Sequence, residues 1–109
     1  MTDLGHILAG LVQRTDEGSL KWNRTVQNNQ FVTALDAIVI AVVEYEADWG
    51  KRRYRLDIFD EAGELADSFD FRDTTPEQVS QLERLFVLAR RSANKVDSTL
   101  QKIARALEI

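Results

Sequence analysis

The chain has 109 residues, of which 44% are hydrophobic and 29% are charged, and its net charge at pH 7 is −4. This size and composition predict a single domain, residues 1–109, with a core of its own. The negative charge argues against broad electrostatic binding to nucleic acid, and the absence of cysteine excludes disulfides and thiolate chemistry. The sequence contains no apolar run of roughly 18 residues, so it predicts no membrane span. Its first residues do not have the pattern of a secretory signal, and we expect a cytoplasmic protein.

The first element is predicted to be a helix over residues 3–17. Its apolar residues fall on one stripe: Leu4, Ile7, Leu8, Leu11 and Val12. Thr2 or Asp3 is placed to cap its start, and Gly18 is placed to end it in a left-handed turn. An extended piece containing Trp22 is predicted next, over 20–26, and a turn follows at 28–30.

Four strands are predicted after that turn, joined by short connections into an antiparallel meander. They cover 31–35, 38–46, 52–60 and 64–72. The second strand is apolar on both faces, which predicts either cover from the first helix or the 19–26 segment, or contact with another subunit. In the last hairpin, a two-residue turn at Ala62-Gly63 pairs Leu56 with Phe69. We favour instead a turn with a bulge at Gly63 and a second irregularity near Asp67.

Residues 75–109 are predicted to form one long helix. Thr75, Pro76 and Gln78 form a start signal of the capping-box type. An apolar seam then continues without interruption, and its second half comprises Ala93, Val96, Leu100, Ile103 and Leu107. Such a helix is about 50 Å long, whereas a globule of this size has a radius of gyration of about 13 Å. The second half of the seam is therefore expected to project, fold back or meet a second chain.

These elements predict a two-layer α+β fold, in which a four-stranded antiparallel meander is flanked by an N-terminal helix and a long C-terminal helix on one sheet face. A set of mainly core and turn residues follows one another in a recognisable order: Leu11, Thr15, Gly18, Leu20, Trp22, Tyr54, Leu56, Ile58, Asp60, Gly63, Leu82, Leu85, Phe86, Ala89, Arg90, Arg91, Ala93, Val96 and Asp97. In them the chain resembles a family of short bacterial proteins to which no activity is assigned. The resemblance implies the helix–meander–helix layout, and the 49–52 turn lies outside it.

Carboxylates cluster on the predicted last hairpin, residues 57–73. Oxygen ligands of this kind suit a divalent cation, and two carboxylates across a cleft suit a hydrolase. The spacing matches no calcium loop, and His6 is the only histidine. We therefore favour solvated charge that blunts an edge strand, and keep a small metal- or ligand-binding protein or enzyme as the alternative.

The turn between the two longest strands carries Trp49 next to Arg52 and Arg53. A tryptophan beside arginines is typical of protein interfaces, so these three residues are candidates for partner binding. Packing of Trp49 within the chain, for example against Arg52, is the interpretation we favour over a functional contact. Nucleic-acid binding through 51–55 is less favoured, because only one aromatic accompanies the cations.

The sequence identifies no reaction. It predicts a non-catalytic interaction or assembly protein, a homodimer that associates through the C-terminal seam or through the sheet, with no cofactor and no metal. An unidentified protein partner at Trp49 remains compatible with this prediction.

Overall fold

The computed structural model describes residues 3–109, which form three α-helices and one five-stranded sheet. In chain order the elements are α1 (Leu4–Glu17), β1 (Asn23–Arg24), β2 (Gln30–Leu35), β3 (Ile38–Glu46), a 3-10 turn (Asp48–Gly50), β4 (Arg52–Phe59), β5 (Leu65–Phe69), α2 (Pro76–Ala93) and α3 (Val96–Ala106).

The ends of α1 are fixed by the residues predicted to fix them. The Asp3 carboxylate accepts a hydrogen bond from the His6 backbone N–H at 2.8 Å. At the other end Gly18 has a φ of 82°, which glycine adopts at little cost, and its N–H reaches the last carbonyls of the helix. Thr2, the other predicted cap, lies outside the described residues. Both ends of the first predicted helix are thereby confirmed to within one residue.

The sheet is an antiparallel meander in the order β1-β2-β3-β4-β5. The prediction of four strands is wrong by one, because Asn23 and Arg24 pair with Val32 and Phe31. A two-residue strand has no alternation to detect, and this one exists only because β2 offers it a free edge. A further hydrogen bond fixes the segment that leads into β1: the Thr33 hydroxyl donates to the Lys21 carbonyl at 2.6 Å.

The β4–β5 hairpin has the predicted form. Gly63 has a φ of 82°, and the Asp60 N–H donates to the Glu64 carbonyl at 2.8 Å, so the turn is closed by a bulge at glycine. The register then shifts between Phe59 and Ile58, which leaves Ala66 as the extra residue. This second irregularity restores the pairing of Leu56 with Phe69, and both side chains face the core.

The core lies between one face of the sheet and α2. Leu82, Leu85, Phe86 and Ala89 of α2 are buried there. The ring of Phe86 lies 5.4 Å from the ring of Phe31 and 5.4 Å from that of Tyr54, within the range of favourable aromatic pairs. α1 packs along α2 and brings Leu8 and Leu11 into the same cluster, together with Leu20 and Trp22.

The prediction of one long C-terminal helix is wrong. α2 ends at Ala93 and α3 begins at Val96, with Lys95 in the left-handed conformation at a φ of 53°. The Asn94 and Lys95 N–H groups turn back to the carbonyls of Arg90 and Ser92 and close the end of α2. Apolar spacing could not reveal the break, because the seam keeps its period across it and neither proline nor glycine marks the site.

Candidate interaction surfaces

The apolar face of α3 is the first candidate surface. Leu100, Ile103 and Leu107, which follow the spacing of one helix face, are 52%, 50% and 63% exposed. Within residues 3–109, the extensive contacts of α3 are with α2 alone, and none of its own residues is buried. The radius of gyration is 15.1 Å, above the roughly 13 Å of a compact domain of this length, which fits a helix that projects from the body.

The five residues predicted for self-association do not form one exposed seam. Ala93 closes α2 and packs against the core, and Val96 is half-buried at the start of α3. The other three form the exposed face. Because the helix is broken at Lys95, the length of a single helix no longer predicts a seam that needs a second chain. The prediction of self-association now depends on the exposed apolar side chains of α3.

The second face of the sheet is the next candidate surface. Both structures predicted to cover it lie elsewhere: α1 and the 19–26 segment contribute their buried side chains to the core on the opposite side. The register places an apolar row across this open face, formed by Ala34, Val39, Phe59 and Leu65 on neighbouring strands. Val39 and Leu65 are 37% and 57% exposed. Cover by a second subunit remains a prediction.

A polar cluster occupies the other end of the open face. Asp57 is buried there and accepts hydrogen bonds from the Arg55 Nε at 2.9 Å and the Ser68 hydroxyl at 2.6 Å. Alternation along β4 places Asp57 on the face opposite the core, but alternation does not reveal that its neighbours shelter it. Both hydrogen bonds go to the Oδ1 of Asp57, so this oxygen ties β4 to β5 within the sheet.

Asp70 lies beside this cluster and is also buried. The Arg72 guanidinium approaches its Oδ2 at 2.7 Å, and this hydrogen bond lowers the pKa of Asp70 against the opposing effect of burial. Burial, followed by the charge of Asp70, raises the pKa of Tyr45 on β3, two strands away in the sheet. The two groups border a shallow concavity of about 550 Å³.

The acidic hairpin does not assemble a metal site within the described chain. No group of three or more histidine, cysteine or acidic side chains converges among residues 3–109. The reason is local: Asp57 and Asp70 are each paired with an arginine, and the carboxylate of Asp60 accepts hydrogen bonds from the N–H groups of Ala62 and Glu64 in the turn. These carboxylates are therefore engaged within the chain, and the metal- and ligand-binding alternative stays a prediction.

The turn after β3 places Trp49 in solvent. Its side chain is 97% exposed, so packing within the chain is wrong as an account of this residue. Trp49 also has a φ of 64°, and Gly50 follows with a φ of 71°. A positive φ is a rare conformation for a bulky residue, and here it directs an indole away from the body.

The three residues predicted for partner binding are not one patch. Arg52 forms a salt bridge with Glu44 at 2.7 Å on the core side of the sheet. Arg53 lies on the open face, with its guanidinium carbon 4.4 Å from the centre of the Phe71 ring. Because these two arginines and Arg55 are engaged within the chain, the 51–55 stretch offers few free cations to a phosphate backbone.

A cleft of about 960 Å³ was not predicted from the sequence. It opens between the end of α1, the segment that leads into β1, and the joint between α2 and α3. Trp22 is fixed in its wall, because the indole Nε1 donates to the Thr15 hydroxyl at 2.9 Å and the backbone N–H donates to the Ser92 hydroxyl at 3.0 Å. The lining residues come from distant parts of the chain, so no local motif announces the cleft.

Comparison with known proteins adds no relative. No protein-family model, curated protein or solved structure matches the chain. Among the helices of the described residues, none is long and apolar enough to cross a bilayer. The resemblance noted in the sequence therefore stays an expectation.

Proposed function

We propose that this chain is a non-catalytic interaction protein that forms a homodimer through the apolar face of α3. The observation that carries the proposal is the exposure of Leu100, Ile103 and Leu107 on a helix whose own fold leaves them half-covered at best. Three such residues in a helical row are the pattern of helix-on-helix packing. A two-fold dimer would use the same row from each copy, because an isologous interface places a surface against itself.

Small side chains beside the row support close approach of a second helix. Thr99, Ala104 and Ala106 follow or flank the large apolar residues along α3, and none of them carries a charge. The charged residues Lys102 and Arg105 fall on other positions of the helix. A partner helix would therefore meet an apolar strip whose borders are mostly uncharged, with Asp97 and Glu108 the charges nearest to it, and this keeps the desolvation cost of association low.

A substitution in the row tests the proposal. Covering a half-exposed isoleucine stabilises the dimer by about 1 kcal/mol per copy. Ile103→Glu removes that contribution twice in a symmetric dimer, so it should weaken dimerisation by roughly thirtyfold. The matched control is Gln101→Glu, which adds the same charge at an exposed position off the row. Sedimentation velocity over a range of concentrations should show association of the wild type and the control, and its loss in the Ile103 variant. Equal behaviour of both variants would contradict the proposal.

Trp49 supports a second, separate contact with another protein. A fully exposed indole on a projecting turn is the residue type that most often anchors an interface. Arg52 and Arg53 would border such a contact without forming its centre, because both are already engaged within the chain. If a partner covers Trp49, its emission shifts to shorter wavelength on binding. A partner that leaves that emission unchanged binds elsewhere.

A further inference from the structure

The cleft beside the α2–α3 joint has a charge opposite to that of the rest of the chain. It is lined by five of the 14 Lys and Arg residues but by only three of the 18 acidic residues. The cations are Lys21, Arg24, Arg84, Arg91 and Lys95. The cleft thus has a net charge of +2 and leaves −6 for the remainder.

Most of these cations are free to meet a ligand. Arg91 approaches Asp97 at 3.5 Å, but within the described part of the chain the other four form no salt bridge. All four are exposed on the rim. Unpaired cations around a concave surface concentrate field and attract anions to it.

Apolar side chains also line the cleft, among its cations and polar groups. Val87 is exposed, and Leu88 and Val96 are half-buried beside it. The indole of Trp22 is only 3% exposed, so its ring is not available to stack against a base. Apolar side chains beside cations suit a ligand that is itself apolar on one side and acidic on the other.

We propose that this cleft binds an acidic amphipathic helix of a partner protein. The last turn of α1, one face of α2 and the start of α3 meet around it, and a concave surface between helices suits an apolar helix face with anchors at i, i+3, i+4 and i+7. Carboxylates on the flanks of that helix would meet the rim cations. A long polyanion such as RNA fits less well, because the surface outside the cleft has a net charge of −6.

The test uses a fluorescein-labelled peptide of about 14 residues, roughly four helical turns, with leucines on one face and glutamates on the other. Anisotropy titration of the full chain should show saturable binding that weakens at least tenfold in Lys21→Glu/Arg84→Glu. The control Lys51→Glu/Lys102→Glu makes the same change in charge outside the cleft and should bind within twofold of the wild type. Circular dichroism checks that both variants fold.

Each other outcome overturns the proposal. Absence of saturable binding at millimolar chain would show that the cleft does not take such a helix. An equal loss of peptide affinity in both double variants would show that binding depends on the net charge of the chain and not on the cleft. Binding of an oligouridine as tight as that of the peptide would assign the cleft to nucleic acid. Weaker self-association of the Lys21→Glu/Arg84→Glu variant would show that the cleft binds a second copy of the chain. The dimer through α3 would then be tested by Ile103→Glu alone.

Discussion

Removing the hydroxyl of Thr15 should destabilise the fold through Trp22. The Thr15 Oγ1 donates to the Leu11 carbonyl at 2.7 Å and accepts from the Trp22 Nε1 at 2.9 Å, and both residues are buried. Thr15→Val keeps the shape of the side chain but leaves the indole N–H without an acceptor. A buried donor left in this way costs about 2 kcal/mol.

Urea unfolding followed by the fluorescence of Trp22 in a Trp49→Phe background, where it is the remaining tryptophan, measures this cost. With a urea dependence of about 2 kcal/mol per molar for a domain of this size, the midpoint should fall by roughly 1 M. Thr15→Ser is the control, because it retains the acceptor and loses only a methyl group, worth about 0.8 kcal/mol. We expect the wild type to be the most stable, Thr15→Ser to be intermediate and Thr15→Val to be the least stable. If the valine variant is as stable as the serine variant, the buried hydrogen bond does not hold Trp22 in place.

Three further predictions follow from single residues. Lys95→Gly should slow amide hydrogen exchange in α3 by about fivefold, because glycine tolerates the positive φ that costs lysine about 1 kcal/mol. Faster exchange would indicate one continuous helix, in which glycine is destabilising. Asp70→Asn should reduce the loss of stability between pH 7 and pH 3. Because the pKa of Asp70 is lowered in the folded state, its carboxylate stabilises the fold at pH values above its ordinary pKa of 3.8, and this stabilisation is lost as the pH falls through the folded pKa. An unchanged acid dependence would contradict the role of Arg72. Trp49→Phe should abolish the long-wavelength emission that acrylamide quenches readily and leave the shielded emission of Trp22; retention of strong quenching would contradict the exposure of Trp49.

The strands were predictable because their patterns are local. Residues 38–46 carry a run rich in β-branched side chains, and the structure places β3 at Ile38–Glu46. The bulge at Gly63 followed from backbone chemistry, since alanine at position 62 disfavours the positive φ of a tight two-residue turn. A shift near Asp67 was then needed to bring Leu56 and Phe69 together.

The features that sequence reasoning missed depend on contacts between distant segments. β1 is two residues long and exists through its pairing with Phe31 and Val32. The break at Lys95 leaves the apolar period intact, so periodicity could not reveal it. The cleft gathers Lys21 and Arg84, which lie more than sixty positions apart in the chain. Alternation and periodicity report which face a residue occupies, and they do not report what covers that face.

The exposed face of α3 is the centre of the functional account, and isotope-filtered NOE spectroscopy tests it most directly. A sample that mixes ¹³C-labelled with unlabelled chain reports only contacts between copies. We predict intermolecular NOEs from the methyl groups of Leu100, Ile103 and Leu107, and none from Leu82, which is buried in the core. Intermolecular NOEs confined to Val39 and Leu65 of the open sheet face, or none at millimolar chain, would contradict it.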